Sequence, residues 1–211
     1  MTAKKQINVL ITGFGLFPGM PDNPSAALVK SFLASEKSPQ KSQQRKYKLY
    51  GGILPTEFSA GIRKFDALMK SVQPDIVICF GVAARRRIIS LETTARNKVG
   101  LKLKDAAGHK HKSSKINRKS QRAYTSTLPL RKINNALKNN DIRARLSDNA
   151  GSYLCNFIFF RLMEGIYSGK YTCTGGFIHI PNPKHSKFSS KTVEKAAKIA
   201  IQASISSVKP S

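Results

Sequence analysis

The sequence predicts an α/β fold, a three-layer sandwich with a mostly parallel, twisted sheet and helices on both faces. Three observations carry this. Strand-like and helix-like segments alternate along most of the 211 residues, the pattern of consecutive strand–helix–strand units. Residues 75–81 (DIVICFG) are almost wholly apolar, as expected of a central strand covered on both sides. No internal repeat or linker interrupts the alternation, so residues 1–211 are expected to form a single α/β domain.

The elements follow in order. Residues 7–12 (INVLIT) are a short apolar run ending at Gly13, a buried strand. Asn23 offers a helix N-cap and Pro24 suits a first turn, so a helix is expected over 24–34. Residues 35–47 are polar and basic and contain Pro39, a loop. A strand over 48–54 stops at Pro55. Over 57–72, Phe58, Ile62, Phe65, Leu68 and Met69 recur at helical spacing with one wet face. Beyond the central strand, residues 88–97 alternate loosely around Glu92. Residues 98–122 hold nine Lys or Arg and few large apolar side chains, a long basic loop with a short strand expected at 101–103. A helix core at 130–137 and a short strand at 142–146 come next. Then follow a strongly apolar helix over 152–166 and a strand over 176–180 (GFIHI) stopped by Pro181. A last helix spans 190–208, with Val193, Ala196, Ile199, Ile201 and Ile205 apolar.

Composition narrows the function classes. Hydrophobic residues make up 40% of the chain, which suits a globular protein rather than a disordered one. No apolar run approaches the roughly 20 residues of a membrane span, so no membrane contact is expected. Residues 1–6 lead into the first strand and Gly-Phe-Gly, not into a small-residue cleavage site. That pattern reads as no signal peptide and a cytoplasmic location. Cys79, Cys155 and Cys173 are too few, and odd in number, for a disulfide framework. His109 and His111 are spaced like a loop ligand pair, but only Asp105 lies near them, so neither a metal nor another cofactor is expected. The net charge of +26 comes from 37 Lys and Arg against 11 Asp and Glu. Such a field attracts polyanions without sequence preference, and a generally basic proteome would produce it equally.

Chemistry gathers at three residues. Cys155, in Asp148-Asn149-Ala150-Gly151-Ser152-Tyr153-Leu154-Cys155-Asn156, falls in the first turn of an apolar helix just after a strand. There the backbone dipole and free N–H groups favour thiolate and could hold an oxyanion. A buried, inert cysteine on a packed helix fits the same position. His179 interrupts an apolar strand near its end and needs a polar partner. It is the best-placed base, since His109, His111 and His185 lie in basic loops; a core histidine with one hydrogen bond is the alternative. Glu92 follows the Arg85-Arg86-Arg87 turn. It is either the carboxylate that orients an imidazole or a simple ion-pair partner of those arginines.

Five segments together resemble the type I pyroglutamyl peptidases, also called pyrrolidone-carboxylate peptidases. They are Thr12-Gly13-Phe14-Gly15-Leu16-Phe17-Pro18-Gly19 with Asn23-Pro24-Ser25; Pro74-Asp75 through Gly81 with Arg86 and Glu92; Ser126-Thr127-Leu128-Pro129; Ala150 through Asn156; and Gly176-Phe177-Ile178-His179-Ile180-Pro181. They stand in the family's order and spacing over residues 7–181. The resemblance implies a single hydrolytic domain with a Cys155–His179–Glu92 triad. In it Cys155 attacks the amide after a pyroglutamyl residue, His179 shuttles the proton and Glu92 holds the ring. Phe14 and Phe17 match the pocket-wall phenylalanines and Asn23 the motif asparagine, a polar contact or loop brace. With Leu103, Tyr153 and Leu154 they make up the implied substrate-binding set. N-terminally pyroglutamylated peptides are the implied partners and a homotetramer the implied assembly, although like charge opposes close packing of basic subunits unless the interface is apolar.

The chain departs from the family pattern at Val82, which replaces a glutamine, at Ala84 and Arg85, which replace two glycines, and at Lys102, which replaces an arginine. Lysine keeps the charge and loses the planar fork. These changes leave room for a related cysteine amidohydrolase acting on another small acyl or lactam group. Charge alone supports a nucleic-acid-binding protein on the same fold, but residues 98–122 lack Phe, Tyr or Trp for stacking.

Overall fold

The computed structural model describes residues 6–17, 22–36 and 47–208. The loop expected at 35–47 therefore lies mostly outside the described residues, as do residues 1–5, Pro18 and Gly19. A six-stranded sheet runs β2 (Tyr47–Leu54), β1 (Ile7–Phe14), β3 (Ile76–Val82), β8 (Thr174–Ile180), β4 (Ile89–Glu92), β7 (Ala144–Ser147). The first four of these strands are mutually parallel. β4 runs antiparallel to β8, and β7 follows β4. The reversal has a simple cause: β3 ends at Val82 and β4 begins at Ile89, too short a gap for a parallel crossover, which takes a dozen or more residues.

Side chains alternate across the sheet and fill two cores. Val9, Ile11, Ile76, Ile78, Phe80, Ile178 and Ile180 face one layer of helices: α1 (Pro24–Glu36), α3 (Leu130–Lys138) and α5 (Ser190–Ile205). Leu10, Phe14, Val77, Cys79 and Phe177 face α2 (Phe58–Val72) and α4 (Leu154–Tyr167) on the other side. Helix α4 is apolar nearly all round because it lies between the sheet, α2 and a separate two-stranded ribbon. That ribbon pairs β5 (Thr94–Arg96) with β6 (Ala123–Thr125).

Several expected boundaries move. The loose alternation at 88–97 is two strands, β4 and β5, parted at Thr93, whose N–H donates to the Ser147 carbonyl at 2.7 Å. No strand forms at 101–103; Leu101 and Leu103 sit in a turn region and are exposed. The strand expected at 142–146 begins only at Ala144, because the Ile142 N–H closes the end of α3 on the Leu137 carbonyl. The last helix stops at Ile205, short of Val208. Among the described residues no helix is long and apolar enough to cross a membrane.

Candidate active site

The face of the sheet beneath α4 carries the site. Side chains two apart on a strand share a face, so Cys79 and Gly81 on β3, Phe177 and His179 on β8, and Ser90 and Glu92 on β4 all point toward α4. Register places Gly81 opposite His179 and His179 opposite Ser90. The turn before α4 depends on Gly151, whose φ of +86° an L side chain rarely adopts. After it Tyr153 is extended and the helix starts at Leu154. Cys155 is thus the second helical residue, with its sulfur turned toward Gly81. A Cβ added at Gly81 would lie 2.8 Å from Cys155 Sγ and 2.7 Å from the Phe177 ring. Only glycine leaves room here for the sulfur beside the histidine strand.

Glu92 and His179 meet in the buried layer. His179 Nδ1 lies 2.7 Å from Glu92 Oε1, and Glu92 is wholly buried. A carboxylate only accepts, so in the neutral ring Nδ1 carries the proton and Nε2 does not. Arg86 binds the same carboxylate oxygen through Nη1 and reaches the Asn149 carbonyl through Nη2. It therefore ties Glu92 to the turn that delivers Cys155. Glu92 thus contacts both an imidazole and an arginine, the two kinds of partner that its sequence position offered.

Electrostatics set the resting protonation state. Burial would raise the Glu92 carboxyl, but the His179 hydrogen bond and charge, the Ser147 hydroxyl and Arg86 outweigh it and hold it below the ordinary value. Burial pushes His179 down, and Arg86 adds to this against the pull of Glu92, so the ring is neutral near neutral pH. Burial and, after it, the Glu92 charge push the Cys155 thiol up to about 12, against its own backbone N–H and Arg86. Burial thus opposes the helix-terminus preference for thiolate, at a side chain that stays half-buried. Cys79 is also pushed up to about 12, by burial.

Of the expected substrate-binding residues, Tyr153 and Leu154 immediately precede Cys155. Phe17 stacks edge-on against Tyr153 at 5.6 Å, and Tyr153 against Phe58 at 5.8 Å. Phe14 is buried and packs on Phe177 at 6.4 Å. Leu154 is buried in the core beneath α4. Leu103 is exposed and packs near Gly100 and Ser152. Asn23 caps α1 and braces the preceding loop: its amide donates to the Gly15 carbonyl at 2.9 Å, and Oδ1 accepts from the Ser25 N–H and hydroxyl. Of the departures, Arg85 is exposed rather than pressed against the site, while Gly81, the position that requires glycine, is kept. Lys102 is exposed. His111 bonds its own turn at the Ser113 carbonyl, 2.7 Å away, and packs on Phe58 and Phe157; His109 is exposed.

Two positioning residues escaped the sequence reading. Asn156, fully buried beside Cys155, accepts from the Arg96 N–H at 3.0 Å and donates to the Arg96 and Lys98 carbonyls at 2.8 and 2.9 Å, clamping β5 to α4. Asp105 is buried and accepts from the N–H groups of Phe58, Ala107 and His109, so it caps α2 from a distant segment. An Asn directly after Cys155 and the one acid in a cationic stretch were the available signals.

The model of the pyroglutamyl peptidase family matches residues 7–209. Pyrrolidone-carboxylate peptidase of Thermosipho melanesiensis is 36% identical over 187 residues, 89% of each chain. That of Brevibacillus brevis is 32% identical over 206 residues, 94% of this chain and 93% of its own. Among solved structures, a mutant pyrrolidone carboxyl peptidase from the hyperthermophile Pyrococcus furiosus superposes with a TM-score of 0.87 at 28% identity, over 96% of this chain and all of its own. Pyroglutamyl peptidase I of Bacillus amyloliquefaciens gives 0.85 at 31% identity, over 95% and 97%. Sequence and fold thus agree along nearly the whole chain, which belongs to the pyroglutamyl peptidase family.

Proposed function

We propose that this protein removes N-terminal pyroglutamate from peptides through a thioester on Cys155. The observation that carries the proposal is the placement of Cys155 Sγ over Gly81, with His179 in register beside it and bonded to buried Glu92. The resting pair is a neutral imidazole and a thiol. Nε2 of His179 takes the thiol proton as Sγ attacks the carbonyl carbon of the pyroglutamyl amide. The oxyanion that forms faces the unpaired N–H groups of the first turn of α4. Glu92 stabilises the imidazolium for the moment it exists. His179 then gives its proton to the leaving amine, the C–N bond breaks, and a thioester remains. Water, deprotonated by the same histidine, attacks the thioester and frees pyroglutamate and the thiol.

The surroundings suit a small neutral lactam, which calls for apolar walls and few polar groups. Phe17, Leu103 and Tyr153 supply the walls, Phe14 and Leu154 back them from the core, and Asn23 holds the loop that carries the two phenylalanines. The test is cleavage of a chromogenic pyroglutamyl amide by the purified protein. Wild type is expected to release the chromophore and Cys155→Ser is not. A folded wild type that leaves the amide intact, or an equally active Cys155→Ser, overturns the proposal.

A further inference from the structure

The cationic stretch at 98–122 is bonded to the site rather than lying free beside it. The Gly100 N–H donates to the Ser152 carbonyl at 2.8 Å, the Tyr153 hydroxyl to the Lys104 carbonyl at 2.8 Å, and the Ala106 N–H to the Thr56 carbonyl at 2.9 Å. Its single acid, Asp105, is buried and spent on backbone N–H groups. All nine of its Lys and Arg are exposed. None of them takes part in an ion pair among the described residues, whereas Asp148, Asp66, Asp22 and Glu194 each pair with a cation elsewhere on the surface. Lys104 and Lys110 face one another across an antiparallel bridge, a like-charge juxtaposition that costs stability until an anion joins it.

We propose that this segment, centred on Lys104 and Lys110, binds acidic side chains that follow the pyroglutamyl residue, so that acidic peptides are the preferred substrates. The inference rests on the function proposed above. Pyroglutamate is neutral and offers the field nothing, whereas the peptide it blocks extends beyond a site whose edge at Ser152 and Tyr153 is bonded to this segment. The field of these cations reaches about a Debye length, about 8 Å at physiological salt. Their attraction acts mainly on encounter and orientation. A single-stranded nucleic acid is a poorer fit, because the segment has no Phe, Tyr or Trp on which bases could stack.

The experiment compares kcat/KM for pyroglutamyl peptides whose next three residues are Glu, Gln or Lys, with the uncharged chromogenic amide as reference. The acidic peptide is expected to lead the neutral one by about tenfold at low salt and to lose that lead at about 0.5 M NaCl, where the Debye length is only a few ångströms. In the double variant Lys104→Glu/Lys110→Glu the acidic-to-neutral ratio is expected to fall below one. Equal kcat/KM for all three peptides at every salt, with the amide still cleaved, overturns this inference and leaves the peptidase function standing. RNA that inhibits amide cleavage while the acidic peptide shows no advantage assigns the segment to nucleic acid and overturns it likewise. Failure to cleave any pyroglutamyl substrate overturns both. Should the double variant not fold, the salt dependence of the wild-type preference decides alone.

Discussion

Arg86 and His179 converge on one oxygen, Oε1 of Glu92. The carboxylate is wholly buried, so its charge persists only because both partners meet it there. The same guanidinium reaches the Asn149 carbonyl, just before the turn that leads into the helix of Cys155. Glu92, which holds His179, and the turn leading to Cys155 are joined through a single cation.

Replacing Arg86 therefore tests positioning rather than bulk. Arg86 depresses His179, so Arg86→Gln removes a charge that opposes protonation of the ring. The acid limb of kcat/KM is expected to move to higher pH, with a rate loss of about 10- to 100-fold, the scale of a displaced catalytic group. Arg86→Lys should recover part of the rate and most of the limb. A pH–rate profile of each variant checks this; a merely structural role would lower the rate without moving the limb.

In wild type, the acid limb itself is expected below the ordinary histidine value of about 6.5, because burial lowers His179. The same shift links stability to pH. The folded state holds His179 neutral while the unfolded chain binds a proton, so stability falls as pH drops below about 6.5. Glu92, held below its ordinary value, adds a loss in the same direction as pH falls further through the carboxylate range. Urea unfolding between neutral pH and about pH 4 measures the slope.

Gly81→Ala would set a methyl group 2.8 Å from Cys155 Sγ and 2.7 Å from Phe177. The expected result is a fold destabilised by about 1–3 kcal/mol, the cost of overpacking, and a rate reduced at least about tenfold as the sulfur is pushed from the histidine. Thermal unfolding and steady-state kinetics on one preparation separate the two effects.

Much of this arrangement was legible in the sequence, for identifiable reasons. The apolar run of β3 and the spacing of α2 reflect local burial, and both appear where periodicity puts them. His179 stood out as a polar interruption of an apolar strand, and Cys155 by its place in the first turn of an apolar helix. The direction of β4 was not legible in its own residues; the short gap after β3 imposes it. Nor was the order within residues 98–122, because Asp105, Asn156 and the Tyr153 hydroxyl hold that segment through bonds to distant backbone. The pull of a helix terminus toward thiolate is a local feature, whereas the burial that opposes it at Cys155 comes from distant packing.

Asp105 offers a direct check of that segment. Asp105→Ala leaves the Phe58, Ala107 and His109 N–H groups without their carboxylate. A stability loss of about 1–3 kcal/mol is expected from the unsatisfied donors. Because the segment is bonded to Ser152 and Tyr153, KM for a pyroglutamyl amide should rise more than kcat falls. Denaturant unfolding and steady-state kinetics test both parts.

The triad's central claim is a covalent bond between the acyl group and Cys155. Mass spectrometry of the intact protein, acid-quenched during turnover of a pyroglutamyl amide, reads it directly. The prediction is a species heavier by about 111 Da, the pyroglutamyl acyl group in place of the thiol hydrogen, mapped by digestion to the peptide containing Cys155 and absent from Cys155→Ala. An adduct on Cys79 or Cys173, or undiminished turnover by Cys155→Ala, would contradict it.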